Sequence, residues 1–155
     1  MNKDLAVLKD TLNSLIESYQ KVLKLLDKER ECLIKIHSNG LIEVLRQKQT
    51  IAEKINVAEK KLKTLLDKHS LENINEFLFF ASKNNYVDDV RVLNGKLKTL
   101  LQQFTLKSEV NRMIAQEHLE FFSGLLAIYA SLFSSVNYDK NASTNIGTQI
   151  MNVRV

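Results

Sequence analysis

From Asp88 to about Val136 one face of the chain recurs every third and fourth residue without a break. The series runs Val90, Leu93, Leu97, Leu100, Phe104, Lys107, Asn111, Ile114, His118, Phe121, Leu125, Ile128 and Leu132. Residues three and four apart share one side of a helix, so the pattern predicts a single long amphipathic helix. At 1.5 Å per residue such a helix is about 70 Å long, which implies an elongated molecule. Its mean step of 3.5 residues favours left-handed packing against partner helices. Lys107, Asn111 and His118 interrupt the apolar seam, and a polar seam residue lowers stability while fixing register or partner choice. The far end is more apolar than one stripe requires: Phe121, Phe122, Leu125, Leu126, Ile128, Tyr129, Leu132 and Phe133. Apolar residues more than halfway round a helix are either buried on several sides or form a surface awaiting a partner.

Nothing in the composition opposes long helices. The chain has no proline and only four glycines in 155 residues, a length suited to one domain. The net charge of +4 comes from interleaved acids and bases, unlike the one-sided basic stripe of a nucleic-acid binder. The densest basic run, Lys60, Lys61, Lys63 and Lys68, reads as a solvated helix face. A single Cys32 excludes an intramolecular disulfide and fits a reducing cytoplasm. The first ten residues carry Asp4 and Lys9 and lack the apolar run of a secretory signal. No segment approaches the ~20 apolar residues of a membrane span, so no stable membrane insertion is expected.

Three more helices precede the long one. The first, from about Lys3 to Ile36, has the seam Leu5, Leu8, Leu12, Leu15, Tyr19, Val22, Leu26, Leu33 and Ile36. Ser38-Asn39-Gly40 breaks it, either as a tight reversal or as a kink in a continuing rod. Reversal is favoured, because each helix must bury its seam. The second spans about Leu41 to Lys68 with the seam Leu41, Leu45, Ile51 with Ala52, Ile55, Ala58, Leu62 and Leu65, and Gln47 to Gln49 as a polar interval. Ser70 can cap a short third helix, about Leu71 to Lys83, and Asp88 can cap the long one. The fold class expected is all-α: an elongated antiparallel bundle of three long helices and one short over residues 1–136. The Asn-, Ser- and Thr-rich stretch 137–155 reads as a flexible tail with two apolar islands, Tyr138 and Ile150 to Val155.

Catalytic chemistry is hard to place in such a chain. The glycines are isolated and no G-K-[ST] loop occurs; His37, His69 and His118 lack partners at metal-binding spacing. Carboxylates are spread along helix exteriors. His118 reads as a hydrogen-bonded core histidine and Cys32 as a packed or exposed thiol. The residues therefore point to a binding protein, not an enzyme, with no cofactor and no metal.

Asn111-Arg112-Met113-Ile114-Ala115 followed by Leu119-Glu120-Phe121, the helix order, and a tyrosine beyond the long helix before a polar tail with an apolar end together resemble the FlgN-type flagellar export chaperones. In that family's Asn-x-x-Asn-x-x-Leu-Leu pattern, Asn111 fits the second Asn and Ile114 the apolar residue, while Ser108 replaces the first Asn. The resemblance implies a cytoplasmic chaperone that binds the terminal helices of hook-associated proteins at the hook–filament junction. It would prevent their premature assembly and bring them to the type III export gate. The client-binding residues expected are Phe121, Phe122, Leu125, Tyr129, Leu132 and Phe133. Tyr138 is expected to dock the cytoplasmic domain of the gate, or else to fold back onto the long helix. Gly124 either admits a partner backbone or packs on the first helix. The alternative is a structural or adaptor coiled coil without a secreted client, and regular seams also admit a homodimer.

Overall fold

The computed structural model describes residues 2–81 and 87–137; for residue 2 and residues 132–137 the backbone alone is described. Four helices follow in order: α1 (Asn2–Ile34), α2 (Ser38–Lys68), α3 (Ile74–Phe80) and α4 (Val87–Asn137). Among the described residues there is no strand. The chain divides between Gln116 and Glu117 into two compact units, and each is described by itself.

In the first unit α1 is the central helix. Its expected seam is buried as far as Leu33: Leu8 and Leu12 are fully enclosed, and Leu5, Leu15, Tyr19, Val22, Leu26 and Leu33 nearly so. Ile16, Leu23 and Leu25 are buried as well, because α1 is covered on two sides. On one side, Lys48 pairs with Glu29, the Tyr19 hydroxyl reaches Glu59, and Lys68 pairs with Asp4, so α2 runs antiparallel to α1. On the other, Lys9 pairs with Asp89 and Lys107 with Asp27, so α4 runs parallel to α1. The edge-to-face pair of Tyr19 and Phe104, with centroids 5.6 Å apart, joins α1 to α4 at mid-height. Each fully enclosed leucine stabilises the bundle by about 1.5–3 kcal/mol.

The second helix corrects the sequence-based seam. The side chains turned inward are Leu41, Val44, Lys48, Ile51, Ile55, Ala58, Leu62 and Leu65, in unbroken steps of three and four. Leu45 and Ala52 are exposed. Choosing seam positions by apolarity took Leu45 for Val44 and read a polar interval where Lys48 occupies a seam place.

The α1–α2 connection is a reversal, and it lies earlier than Ser38-Asn39-Gly40. Ile36 adopts a left-handed φ of 51°. The His37 amide donates to the Cys32 carbonyl (2.9 Å) and the Ile36 amide to that of Leu33 (3.1 Å). This closing motif satisfies the orphan carbonyls of a helix end and usually places glycine at the left-handed position. Here a β-branched residue takes it, so Ile36 lies outside α1 and exposed, not on the seam. Gly40 serves a different need: a Cβ there would come within 2.5 Å of His37 Nδ1 and 2.9 Å of Cys32 Sγ.

The same closing pattern ends α2. Ser70 has φ 54°, and the amides of Ser70 and Leu71 return to the carbonyls of Asp67 and Leu66. Ser70 therefore closes α2 instead of capping α3. The cap of α3 is Asn73, whose Oδ1 accepts from the Glu76 amide (3.0 Å) while the Glu76 carboxylate accepts from the Glu72 amide (2.8 Å). The same carboxylate accepts from Asn73 Nδ2 (3.0 Å), so Asn73 and Glu76 fix the helix start between them and α3 starts later than expected. It buries Phe77 and Leu78 and leaves Phe79 and Phe80 exposed. Asp88 and Asp89 lie in the first turn of α4, where negative charge suits the helix dipole.

Candidate functional site

Two of the three polar seam residues of α4 belong to the first unit. Lys107 Nζ meets both Asp27 carboxylate oxygens, at 2.5 and 2.7 Å. Asn111 is buried. Its Nδ2 donates to the Leu26 carbonyl and to Glu29 Oε2, each at 2.8 Å, and its Oδ1 accepts from Arg30 Nε at 3.3 Å. Glu29, also buried, accepts from Lys48 Nζ through both oxygens, at 2.8 and 2.9 Å. A buried carboxylate is tolerated because a cation and an amide meet its lone pairs. The cluster ties α1, α2 and α4 together beside a notch of about 320 Å³ floored by Leu33, Leu41, Leu45 and Ala115. No group of three His, Cys, Asp or Glu that could hold a metal comes together among the described residues. No helix of the described residues is long and apolar enough to cross a membrane.

The second unit presents a different surface. From Glu117 to Ser131, Leu119, Phe121, Phe122, Leu126, Ile128 and Tyr129 are exposed, with Phe121 at 62 %, Leu126 at 69 % and Tyr129 at 58 %. Leu125 and His118 are half-buried. At 3.6 residues per turn, Leu119, Phe121, Phe122, Leu125, Leu126, Ile128 and Tyr129 cover about half of the helix circumference. The rings of Phe121 and Phe122 stand edge to face, 5.8 Å between centroids. The opposite half carries Ser123, Gly124, Ala127 and Ala130. Ser123 donates to the Leu119 carbonyl (2.6 Å) and Ser131 to that of Ile128 (2.7 Å), so these hydroxyls are satisfied within the helix. A Cβ added at Gly124 would meet no atom within 4 Å.

Of the expected site residues, Phe121, Phe122, Leu125 and Tyr129 therefore lie on one apolar half of α4. Leu132 and Phe133 continue the helix, but their side chains fall outside the described residues, as does Tyr138 entirely. The face also includes Leu119, Leu126 and Ile128, which the seam argument did not assign to the site. The signal was available: plotted around a helix, Leu119 and Leu126 extend the row of Phe122 and Tyr129.

The FlgN protein family model matches residues 1–146. No curated protein and no solved structure gives a significant match.

Proposed function

The chain belongs to the FlgN protein family, and on that premise we propose that it is a cytoplasmic export chaperone for flagellar hook-associated proteins. The client would be a terminal amphipathic helix. It would lie on the apolar half of α4 made by Phe121, Phe122, Leu125 and Tyr129 and continued by Leu132 and Phe133. The reading is supported by one observation: Phe121, Phe122 and Tyr129 are exposed on one half of a helix, with Leu125 half-buried among them. Exposed apolar patches of this kind serve partners, and an amphipathic helix covers such a face through anchors three and four residues apart. Covering the face would shield both the client helix and the chaperone's own aromatics until release at the type III export gate. The task requires no nucleotide, metal or covalent step of the chaperone, since burial of apolar surface drives it.

Calorimetric titration of terminal segments of hook-associated proteins into the full chain tests this. Phe122→Glu and Tyr129→Glu are expected to weaken binding at least about tenfold, from the loss of one buried anchor each, with thermal unfolding unchanged. Unchanged binding overturns the assignment of the face. Conversion of a wild-type dimer to monomers by the same variants, with client affinity retained, would make the face a homodimer interface. Tyr138 is proposed as the residue that docks the cytoplasmic domain of the export gate, because tyrosine offers a large ring and a hydroxyl at low entropic cost. Tyr138→Ala is expected to weaken gate binding while client affinity and stability hold.

A further inference from the structure

A second surface lies in the first unit and is independent of the aromatic face. Two adjoining hollows of about 600 and 450 Å³ run along the line where α1 meets α2, sharing Val7, Val57 and Lys61. Their floor is made of small side chains, the buried Thr11 and Ala58 with Ser14 beside them. Val7 and Val57 stand on opposite walls, each about half exposed, at 47 % and 54 %. The groove contains three threonines, yet none of their hydroxyls awaits a partner. Thr11 Oγ1 donates to the Val7 carbonyl (2.7 Å), Thr50 to that of Arg46 (3.3 Å) and Thr64 to that of Lys60 (2.9 Å). An occupant therefore need not supply hydrogen bonds to fill it, and its apolar side chains would meet valine, alanine and threonine.

The rim is charged, and mostly of one sign. Lys54, Lys60, Lys61 and Lys68 line the hollows against Asp10 and Glu53, four bases to two acids, a local balance of +2. Lys68 is held by Asp4, whereas Lys60 and Lys61 form no ion pair among the described residues. From Thr50 to Lys68 the groove follows α2 for about 27 Å at 1.5 Å per residue, the length of a helix of ~18 residues. Two packed helices with small side chains between them leave a furrow into which a third can settle at an axial distance of about 8–10 Å.

We propose that the α1–α2 groove docks an amphipathic helix of a partner protein whose apolar stripe is flanked by acidic residues. The valines and the alanine-threonine floor bury the stripe, and Lys54, Lys60 and Lys61 meet the acids on its α2 side. Charge complementarity of this kind sets which helix is admitted and speeds its arrival.

The test uses the full chain and two labelled synthetic helices of ~18 residues with the same Leu/Ala stripe, one flanked by Glu and one by Lys. Fluorescence anisotropy at about 0.05 M and about 0.5 M salt reads the affinities. The Glu-flanked helix is expected to bind at least about tenfold tighter than the Lys-flanked one and to weaken at high salt. Val57→Glu and the double variant Lys60→Glu/Lys61→Glu are each expected to weaken it at least about tenfold, and Phe122→Glu to leave it unchanged. The double variant changes exposed side chains only, so it decides the matter if Val57→Glu impairs folding. Equal binding of both helices, binding indifferent to the double variant, or loss of binding in Phe122→Glu overturns the proposal. So does a wild-type dimer that the double variant dissociates, since the groove would then hold a second copy of the chain.

Discussion

Leu12 and Leu126 are the same side chain in the interior of long helices. Leu12 is fully buried in the first unit and Leu126 is 69 % exposed in the second. What separates them is coverage. Around α1 the neighbours come from two directions, so apolar side chains spread over about half of the helix are enclosed. From Leu119 to Tyr129 the apolar half of α4 is as wide, and all of it except the half-buried Leu125 is exposed. The comparison teaches that an apolar arc states a demand for a partner, and that only the three-dimensional arrangement says whether the chain meets it.

The largest expected effect tests the two leucines directly. Leu12→Ala should cost about 2–5 kcal/mol in chemical denaturation, the transfer loss plus a residual cavity. Leu126→Ala should fall within about 0.5 kcal/mol, as surface changes do. Equal costs would erase the distinction between the two regions. Polar seam residues give the next contrast. Asn111→Ala removes the amide that meets Glu29 and the Leu26 carbonyl, and should cost about 1–3 kcal/mol; His118→Ala, at a half-buried place, should cost less than about 0.5 kcal/mol.

Backbone substitutions sharpen the comparison at about 1 kcal/mol, with opposite chemistry in the two regions. Ile36→Gly should stabilise by about 1 kcal/mol, because a β-branched residue at φ 51° bears the left-handed penalty. Gly124→Ala should stabilise by about 0.5–1 kcal/mol, because glycine within a helix is entropically costly and a Cβ there meets nothing. If Gly124→Ala also weakens client binding, the partner backbone approaches at that point. The smallest effect is acid sensitivity. The Asp4 carboxyl is held below its ordinary value of 3.8 chiefly by the hydrogen bond from Lys68, with desolvation opposing and the Lys68 charge assisting. A carboxyl depressed on folding stabilises the fold above its unfolded pKa and loses that contribution as pH falls through the folded value. Lys68→Ala should therefore lower the melting temperature slightly near neutrality and leave it unchanged near about pH 2, measured by calorimetry.

The α1 seam and most of the α4 seam were legible because leucine, isoleucine and valine recur there at helical spacing. Val44 and Lys48 were not, since apolarity alone cannot tell a seam lysine with a buried carboxylate partner from a solvated one. That choice depends on Glu29, nineteen residues away. Ile36 was misplaced because the left-handed position carried no glycine to mark it, and Asn73 because Ser70 offered a plausible cap first. On the candidate face, Phe121, Phe122, Leu125 and Tyr129 stood out by size. Leu126 and Ile128 were visible in the same apolar run but were not assigned to the site, and Leu119 was passed over because the seam runs through His118 beside it and the face is wider than the seam.

The parallel course of α1 and α4 has a consequence for the time order in which the molecule assembles. The ties between α1 and α2 close loops of 19 to 64 residues, whereas those between α1 and α4 span 80 to 85. Short closures lose less chain entropy and form sooner. A chain emerging from the ribosome thus completes the α1–α2 hairpin while the flank of α1 that Val90, Leu97 and Leu100 will cover is still bare. For that interval the nascent hairpin is itself a sticky object, and the delay before α4 arrives is when it is most exposed to aggregation or to holding factors.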